Sequence, residues 1–261
     1  MVKSSMFSWI AFAALSICCL SIFLLKAAIA EEVSKPTLIV TYGSHNAEPY
    51  AITESNQLVA GIIKDISDEI ADELDINVTY IETPRKRVER YLTSGEVHFT
   101  PISNPKWLTP NEAYRWSQPL FIEQDRLWVL KTSPKVIEEV EELFGKVVGT
   151  IRNFIYPTLT QYFEQKQIYR SDVREMPSNI ARLQLKRIDG FIGSRTLVMF
   201  ELTRQQDSAI ALSPLVISEH NIHGVLSNKA PITLAELNNA IGKLNSRGVI
   251  DGIIEKYAPK E

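Results

Sequence analysis

Cysteine is almost missing. The chain has 261 residues and two cysteines, Cys18 and Cys19, both within its first thirty positions. Once that leader is removed, the remaining body can form no disulfide, no thiolate metal site and no cysteine nucleophile. Lipid attachment is not indicated, because Ile17 and Cys18 stand where a small residue would have to precede the cysteine. Histidine is scarce as well, with only His45, His98, His220 and His223. His220 and His223 are three apart, but no carboxylate or thiolate stands at ligand spacing, so no metal and no cofactor are expected. His98, at the start of a strand, reads as structural. The chain contains no Gly-x-Ser-x-Gly, no phosphate-cradling loop and no dinucleotide fingerprint, and it reads as a non-enzyme. It also lacks a basic excess: the net charge is −3, and without Lys3 and Lys26 it is 26 basic residues against 31 acidic. Such a body has no general attraction to nucleic acid or anionic lipid. The local exception is Arg85-Lys86-Arg87 with Arg90. No long apolar run follows residue 30.

The leader itself is informative. Lys3 precedes an apolar run from Met6 to Leu25 that ends in Ala28-Ile29-Ala30 and then Glu31-Glu32. This is the pattern of a secretory signal cut after Ala30, which places the mature chain in the periplasm. The alternative is an uncleaved membrane anchor, since the run is long for a signal. The composition is 45% hydrophobic and 23% charged over the whole chain, with Pro and Gly dispersed, as in a folded body large enough for two modest domains.

Periodicity then lays out an α/β fold. Thr37 to Tyr42 is a buried strand, and Ile62, Ile63, Ile66, Ile70 and Leu74 recur at helical spacing. Asn77 to Glu82 alternates as a strand, a helix runs from about Arg85 to Thr93, and Val97 to Ile102 is another strand. Strand and helix in alternation imply parallel crossovers, with ligand loops at the carboxyl ends of the strands. The middle repeats the pattern. Leu127 to Leu130, Lys146 to Thr150, Val173 to Met176 and Gly190 to Gly193 are expected strands; Pro134 to Leu143, Pro157 to Gln165, Ser178 to Leu185 and Thr196 to Arg204 are expected helices. Ile222 to Leu226 is a strand, and helices over Thr233 to Leu244 and Val249 to Tyr257 close the chain.

Seven stretches carry a family resemblance, in order: Glu48-Pro49-Tyr50, Gln57 to Gly61, Leu92 to Val97, Trp116 to Leu120, Lys146 to Thr150, Ile188 to Gly193 and Gly248 to Tyr257. The chain resembles the bacterial extracellular solute-binding proteins of family 3, whose amino-acid-binding members feed ABC transporters. The resemblance implies a two-lobed, type II periplasmic-binding-protein fold that closes like a Venus flytrap. Residues 1–30 would be the signal, 31–124 with 215–261 one lobe, and 125–214 the other. Hinge strands would lie near Phe121 to Trp128 and Ser213 to Glu219. The start at Pro84 to Arg87 is similar to a subgroup with a Pro-x-Lys-Arg motif there. The expected partners are one small molecule and an ABC permease, with the chain acting as a monomer. Two alternatives share the fold: a sensing module for a membrane receptor or kinase, and an enzyme similar to cyclohexadienyl dehydratases.

The resemblance also suggests a site. Tyr50, beside Glu48, matches the family's aromatic wall, although an ordinary core tyrosine would read the same way. Ser103 and Asn104 follow the third strand, where the family supplies polar contacts and where plain turns also place such residues. Two charges the family uses are missing: Pro110 stands in place of the arginine that grips an α-carboxylate, and Ser194 in place of the aspartate that holds an α-amino group. Arg87, Arg152 beside Asn153, and Arg195 remain as cations. Arginine suits bidentate capture of carboxylate, so the ligand is expected to be small, polar and anionic or carboxylate-bearing. The alternative for each arginine is a solvated surface role.

Overall fold

The computed structural model describes residues 34–133, 136–206 and 209–259. The chain divides into two units, Met1–Lys35 and Pro36–Glu261. The expected signal lies outside the described residues. Among the described residues no helix is long and apolar enough to cross a membrane.

Among the described residues of the second unit, ten strands and seven α-helices follow one another. The strands are β1 (Thr37–Tyr42), β2 (Ile52–Glu54), β3 (Gln57–Ala60), β4 (Asn77–Glu82), β5 (Phe99–Ser103), β6 (Tyr114–Leu130), β7 (Val147–Ile151), β8 (Tyr169–Val173), β9 (Gly190–Ser194) and β10 (Ile210–Ser227). The helices are α1 (Ile62–Leu74), α2 (Val88–Ser94), α3 (Thr160–Glu164), α4 (Met176–Gln184), α5 (Arg195–Gln205), α6 (Leu234–Ser246) and α7 (Val249–Tyr257).

Eight strands form one mixed sheet in the order β4-β1-β5-β10-β6-β9-β7-β8, and β2 pairs with β3 in a separate hairpin. The flanks are parallel, β4 with β1 with β5 on one side and β9 with β7 with β8 on the other. Between them β6 and β10 run antiparallel from Ile210↔Leu130 to Ser227↔Tyr114. Buried side chains gather accordingly. Leu38, Ile62, Ile66, Phe99, Leu237 and Ile250 belong to one core beside the first flank, and Val88, Leu92 and Val225 to a satellite of it. Leu127, Val148, Leu159 and Ile192 form a core at the second flank, with Trp128, Phe191 and Val198 in another. Both long strands contribute to both sides.

Several expected elements differ. Of the helix expected over Pro134 to Leu143, the first two residues lie outside the described ones, and the described residues 136–143 form only a 3₁₀ turn, Val140–Leu143. Glu138, Glu139, Glu141 and Glu142 would crowd like charges along such a helix, and the Glu142 carboxylate instead accepts the Glu138 and Glu139 amides at 2.7 and 3.1 Å. The strand expected from Val173 to Met176 ends at Val173, and Met176 opens α4. The helix expected from Arg85 begins as a 3₁₀ turn, Arg85–Arg87, and the one expected from Pro157 begins at Thr160.

Candidate functional site

The loop from Gly43 to Tyr50 closes on itself, with the Gly43 amide donating to Asn46 Oδ1 at 3.0 Å and the Tyr50 amide to the Ala47 carbonyl at 2.9 Å. Its end is tied to α1. The Pro49 and Tyr50 carbonyls each accept a first-turn amide, from Ile62 and Ile63, at 3.0 Å. Such amides have no partner within the helix. Gly61 makes the approach possible: its φ is +116°, and a Cβ there would lie 2.7 Å from the Tyr50 carbonyl oxygen and 2.8 Å from that of Pro49.

Tyr50 is thereby aimed at the long strands. Its hydroxyl donates to Glu123 Oε2 on β6. The other oxygen, Oε1, accepts the backbone amides of Gln124 at 3.2 Å and Thr196 at 3.3 Å. The Ser194 and Thr196 hydroxyls also act on the Tyr50 phenol. Burial, and then the charge and hydrogen bond of Glu123, push that phenol well above the usual tyrosine range. Glu123 is only 7% exposed, so a loop, a long strand and the start of α5 meet on one buried carboxylate.

Register extends the cluster. Glu123 and Asp125 are two apart on β6 and share a face, and their partners on β10 are His220 and Ser218. Asp125 Oδ2 accepts Ser218 Oγ at 2.7 Å and lies 3.3 Å from His220 Nε2, which is 3.2 Å from the same Oγ. This is not an activated serine. In a nucleophile relay the imidazole stands between hydroxyl and carboxylate and uses one nitrogen for each; here serine and Nε2 converge on one carboxylate oxygen. Trp107 stands 6.2 Å from His220 between ring centroids and is 47% exposed.

Trp107 is placed by Asn104 and Arg85. Asn104 Nδ2 donates to the Asn221 carbonyl at 2.9 Å, its Oδ1 accepts the Lys106 amide at 2.9 Å, and its carbonyl accepts the Trp107 amide at 2.8 Å. Arg85 Nη2 donates to the Trp107 carbonyl at 2.5 Å. Ser103 is buried on β5 opposite His223.

The loop after β7 carries Arg152 and Asn153 on the second flank of the sheet. Arg152 is exposed, and its backbone amide donates to the Val173 carbonyl at 2.8 Å. Asn153 takes a left-handed φ of 67°. Arg170 on β8 braces the loop by donating to the Ile151 and Phe154 carbonyls at 3.2 and 2.9 Å. Burial raises the pKa of Tyr156, and Asp125 pushes it in the same direction, which puts this loop within electrostatic reach of β6.

Of the remaining sequence-derived residues, Ser194 stays with the Tyr50 cluster and the others lie apart from it. Ser194 caps α5, its Oγ accepting the Leu197 amide at 3.4 Å. Glu48 is exposed, joined to Pro49 by a cis peptide, and its charge acts on Arg204 of α5. One of the three arginines is committed elsewhere, Arg195, which donates to the Ala258 and Pro259 carbonyls at 3.3 and 3.0 Å; Arg87 lies exposed with Nη1 3.5 Å from the Tyr91 hydroxyl. Sequence reasoning missed Trp107, Glu123, Asp125, Thr196 and His220. Their one sequence signal is a pair of carboxylates inside an otherwise strand-like run, Phe121 to Trp128. Among the described residues no group of three or more metal-capable side chains gathers.

A mixed sheet whose two long middle strands serve a core on either side, with polar and aromatic side chains converging on those strands, defines a two-lobed binding protein. The chain belongs to the bacterial extracellular solute-binding proteins, family 3, whose family model matches residues 39–260. It is a solute-binding protein of the ABC-transporter type. No curated protein matches it significantly. Solved structures do. The L-cystine solute receptor of Neisseria gonorrhoeae, in its unliganded open conformation, is 14% identical, with a TM-score of 0.70, 87% of this chain covered and 94% of that one. Substrate-binding domain 2 of Lactococcus lactis GlnP, also open, is 14% identical, with a TM-score of 0.69 and coverage of 87% and 97%. An ancestral cationic amino acid solute-binding protein is 16% identical, with a TM-score of 0.69 and coverage of 85% and 95%. These are likenesses of fold.

Proposed function

We propose that the chain is an exported receptor that captures one small polar solute in the crevice over β6 and β10 and presents it to an ABC permease. The observation that carries this reading is the meeting of Tyr50, Glu123, Ser194 and Thr196, which come from segments far apart in the chain and belong to both sides of the sheet. Each side alone leaves part of a polar solute unsatisfied, and closure completes the set; a ligand shifts such an equilibrium only by binding the closed form more tightly than the open one. In this reading residues 31–124 and 215–261 make one lobe and 125–214 the other, and β6 and β10 carry the hinge. Tyr50 and Trp107 wall the solute from the first lobe, Arg152 and Asn153 from the second. The carboxylate-bearing ligand expected from three arginines would rest on Arg87 and Arg152, because Arg195 holds the Ala258 and Pro259 carbonyls.

A thermal-shift screen of residues 31–261 against a broad solute library tests the receptor role. A ligand that binds only the folded chain must raise its melting temperature, and a library that moves it nowhere would remove the reading. Export is tested separately. Amino-terminal sequencing of the protein from a periplasmic fraction is expected to begin at Glu31, and an intact leader would favour an anchored receptor.

A further inference from the structure

Arg195 is a cation at the unfavourable end of its own helix. It is the first residue of α5, where the helix dipole disfavours positive charge. Its guanidinium turns instead to the far end of α7, where Nη1 donates to the Ala258 carbonyl at 3.3 Å and Nη2 to the Pro259 carbonyl at 3.0 Å. A helix leaves its last carbonyls without intrahelical partners, and a cation is favoured beside them. Pro259 has no amide hydrogen with which to continue the helix. Arg195 therefore closes α7 from another element, over an Ala258 that is fully buried.

The same helix end holds the turn that aims Tyr50. The Tyr257 hydroxyl accepts the buried Gly61 amide at 2.9 Å and donates to Asp65 Oδ2 at 2.9 Å, an oxygen that Lys256 Nζ also reaches at 2.7 Å. Gly61 in turn abuts the Pro49 and Tyr50 carbonyls. A second contact joins α5 to α7, with the Phe200 and Tyr257 rings 6.4 Å apart between centroids. Phe200 packs on the first core, whereas Val198 and Leu202 of the same helix belong to a core of the second flank. The contacts close a ring: from the Tyr50 loop through Gly61 and Tyr257 to Arg195, then from Thr196 through Glu123 back to Tyr50. Apart from Glu123 this path uses no residue of the long strands, so α5 and the end of α7 make a second tie between the flanks.

We propose that Arg195 is a positioning residue for solute capture: its clasp on the end of α7 holds the start of α5, and with it the Ser194 and Thr196 hydroxyls, at the separation from Tyr50 that the crevice needs. Arg195 touches no solute in this account. On the receptor reading, which this inference extends, the two flanks move as lobes, and each state is populated according to the contacts it makes. Bonds that tie α5 to α7 favour the drawn-in arrangement, and removing them favours a wider one.

Residues 31–261 contain no cysteine, so two can be introduced for nitroxide labels and pulsed electron-resonance distance measurement without solute. K86C follows β4 and I155C follows β7, both at exposed positions on opposite flanks. R195A and F200A are each expected to add a longer-distance population to that of the chain with natural Arg195 and Phe200. R195K, which keeps the charge but not the fork, is expected to add less than R195A. V198A truncates a buried core residue of α5; it is expected to lower the melting temperature and leave the distances in place, which separates lost positioning from lost stability. If R195A fails to fold by circular dichroism, R195K and F200A decide. Unchanged distances in R195A and F200A, a shift to shorter ones, or a V198A shift as large as that of R195A would each overturn the proposal. Should the solute library yield a ligand while the R195A distances match those of the natural chain, the receptor reading stands and only this inference falls.

Discussion

His98 and Tyr50 are single side chains whose chemistry reaches past their own positions. His98 Nδ1 accepts the Ile39 backbone amide at 3.1 Å, so this nitrogen must carry no proton. Burial lowers the His98 pKa, against a smaller opposite pull from its hydrogen bond to the Thr37 backbone. The unfolded chain therefore takes up this proton before the folded one does. The stability that neutral His98 contributes is complete above the unfolded value of about 6.5 and is lost as pH falls through the lower folded value. H98N keeps an acceptor near the same place and cannot titrate. Melting curves between pH 7 and pH 5 are expected to fall more steeply for the natural chain than for H98N. Equal slopes would show that His98 contributes nothing to the acid response. At Tyr50, Y50F removes one donor from a buried carboxylate, and urea unfolding is expected to show a loss of up to about 1.5–3 kcal/mol, the range for hydrogen bonds to charged groups.

At the scale of the element, the first turn of α1 does the positioning. Gly61 cannot gain a side chain without meeting the Tyr50 and Pro49 carbonyls, and its φ is one that other residues rarely adopt. Gly61→Ala is expected to cost about 1–3 kcal/mol from backbone strain and to weaken ligand binding as well, because the helix that holds the Tyr50 loop must shift. A variant with natural stability would contradict this account of the turn. The helix itself was legible, since Ile62, Ile63, Ile66 and Ile70 form a buried stripe. The long strands were legible only in pieces. Leu127 to Leu130 and Ile222 to Leu226 are apolar enough to read as strands, whereas Glu123, Gln124, Asp125 and Arg126 interrupt the pattern in β6. Gln124, Asp125 and Arg126 are half-buried where the ribbon passes between cores, and Ile122 is 59% exposed there, whereas Glu123 is a buried polar residue within the strand. The site divides in the same way. Tyr50, Asn104 and Ser194 sit at loop and strand ends that chain-local signals mark, but a carboxylate within a strand reads as surface until register places it beside Thr196 and Tyr50.

For the whole described body, the long pairing of β6 with β10, interrupted by register shifts, couples the cores on its two sides. Ile66 belongs to one core and Ile192 to another, and both are fully buried. Ile66→Ala and Ile192→Ala are each expected to remove about 2–5 kcal/mol. Because the shared strands must separate for either core to open, both variants are expected to lower one common transition in scanning calorimetry. Two resolved transitions, one moved by each substitution, would show that the halves unfold independently.

In the proposed two-lobed reading, the chain would leave the first lobe after residue 124 and return at residue 215, close to where Asp125 pairs with Ser218 and Arg126 with Val216. On that reading departure and return lie on paired strands, so the intervening stretch would be a cassette with adjoining ends, the arrangement in which domain insertion and exchange are tolerated. A corresponding stretch from a relative of different taste could be spliced at this junction without any linker, and the hybrid would inherit half of its palate from each parent.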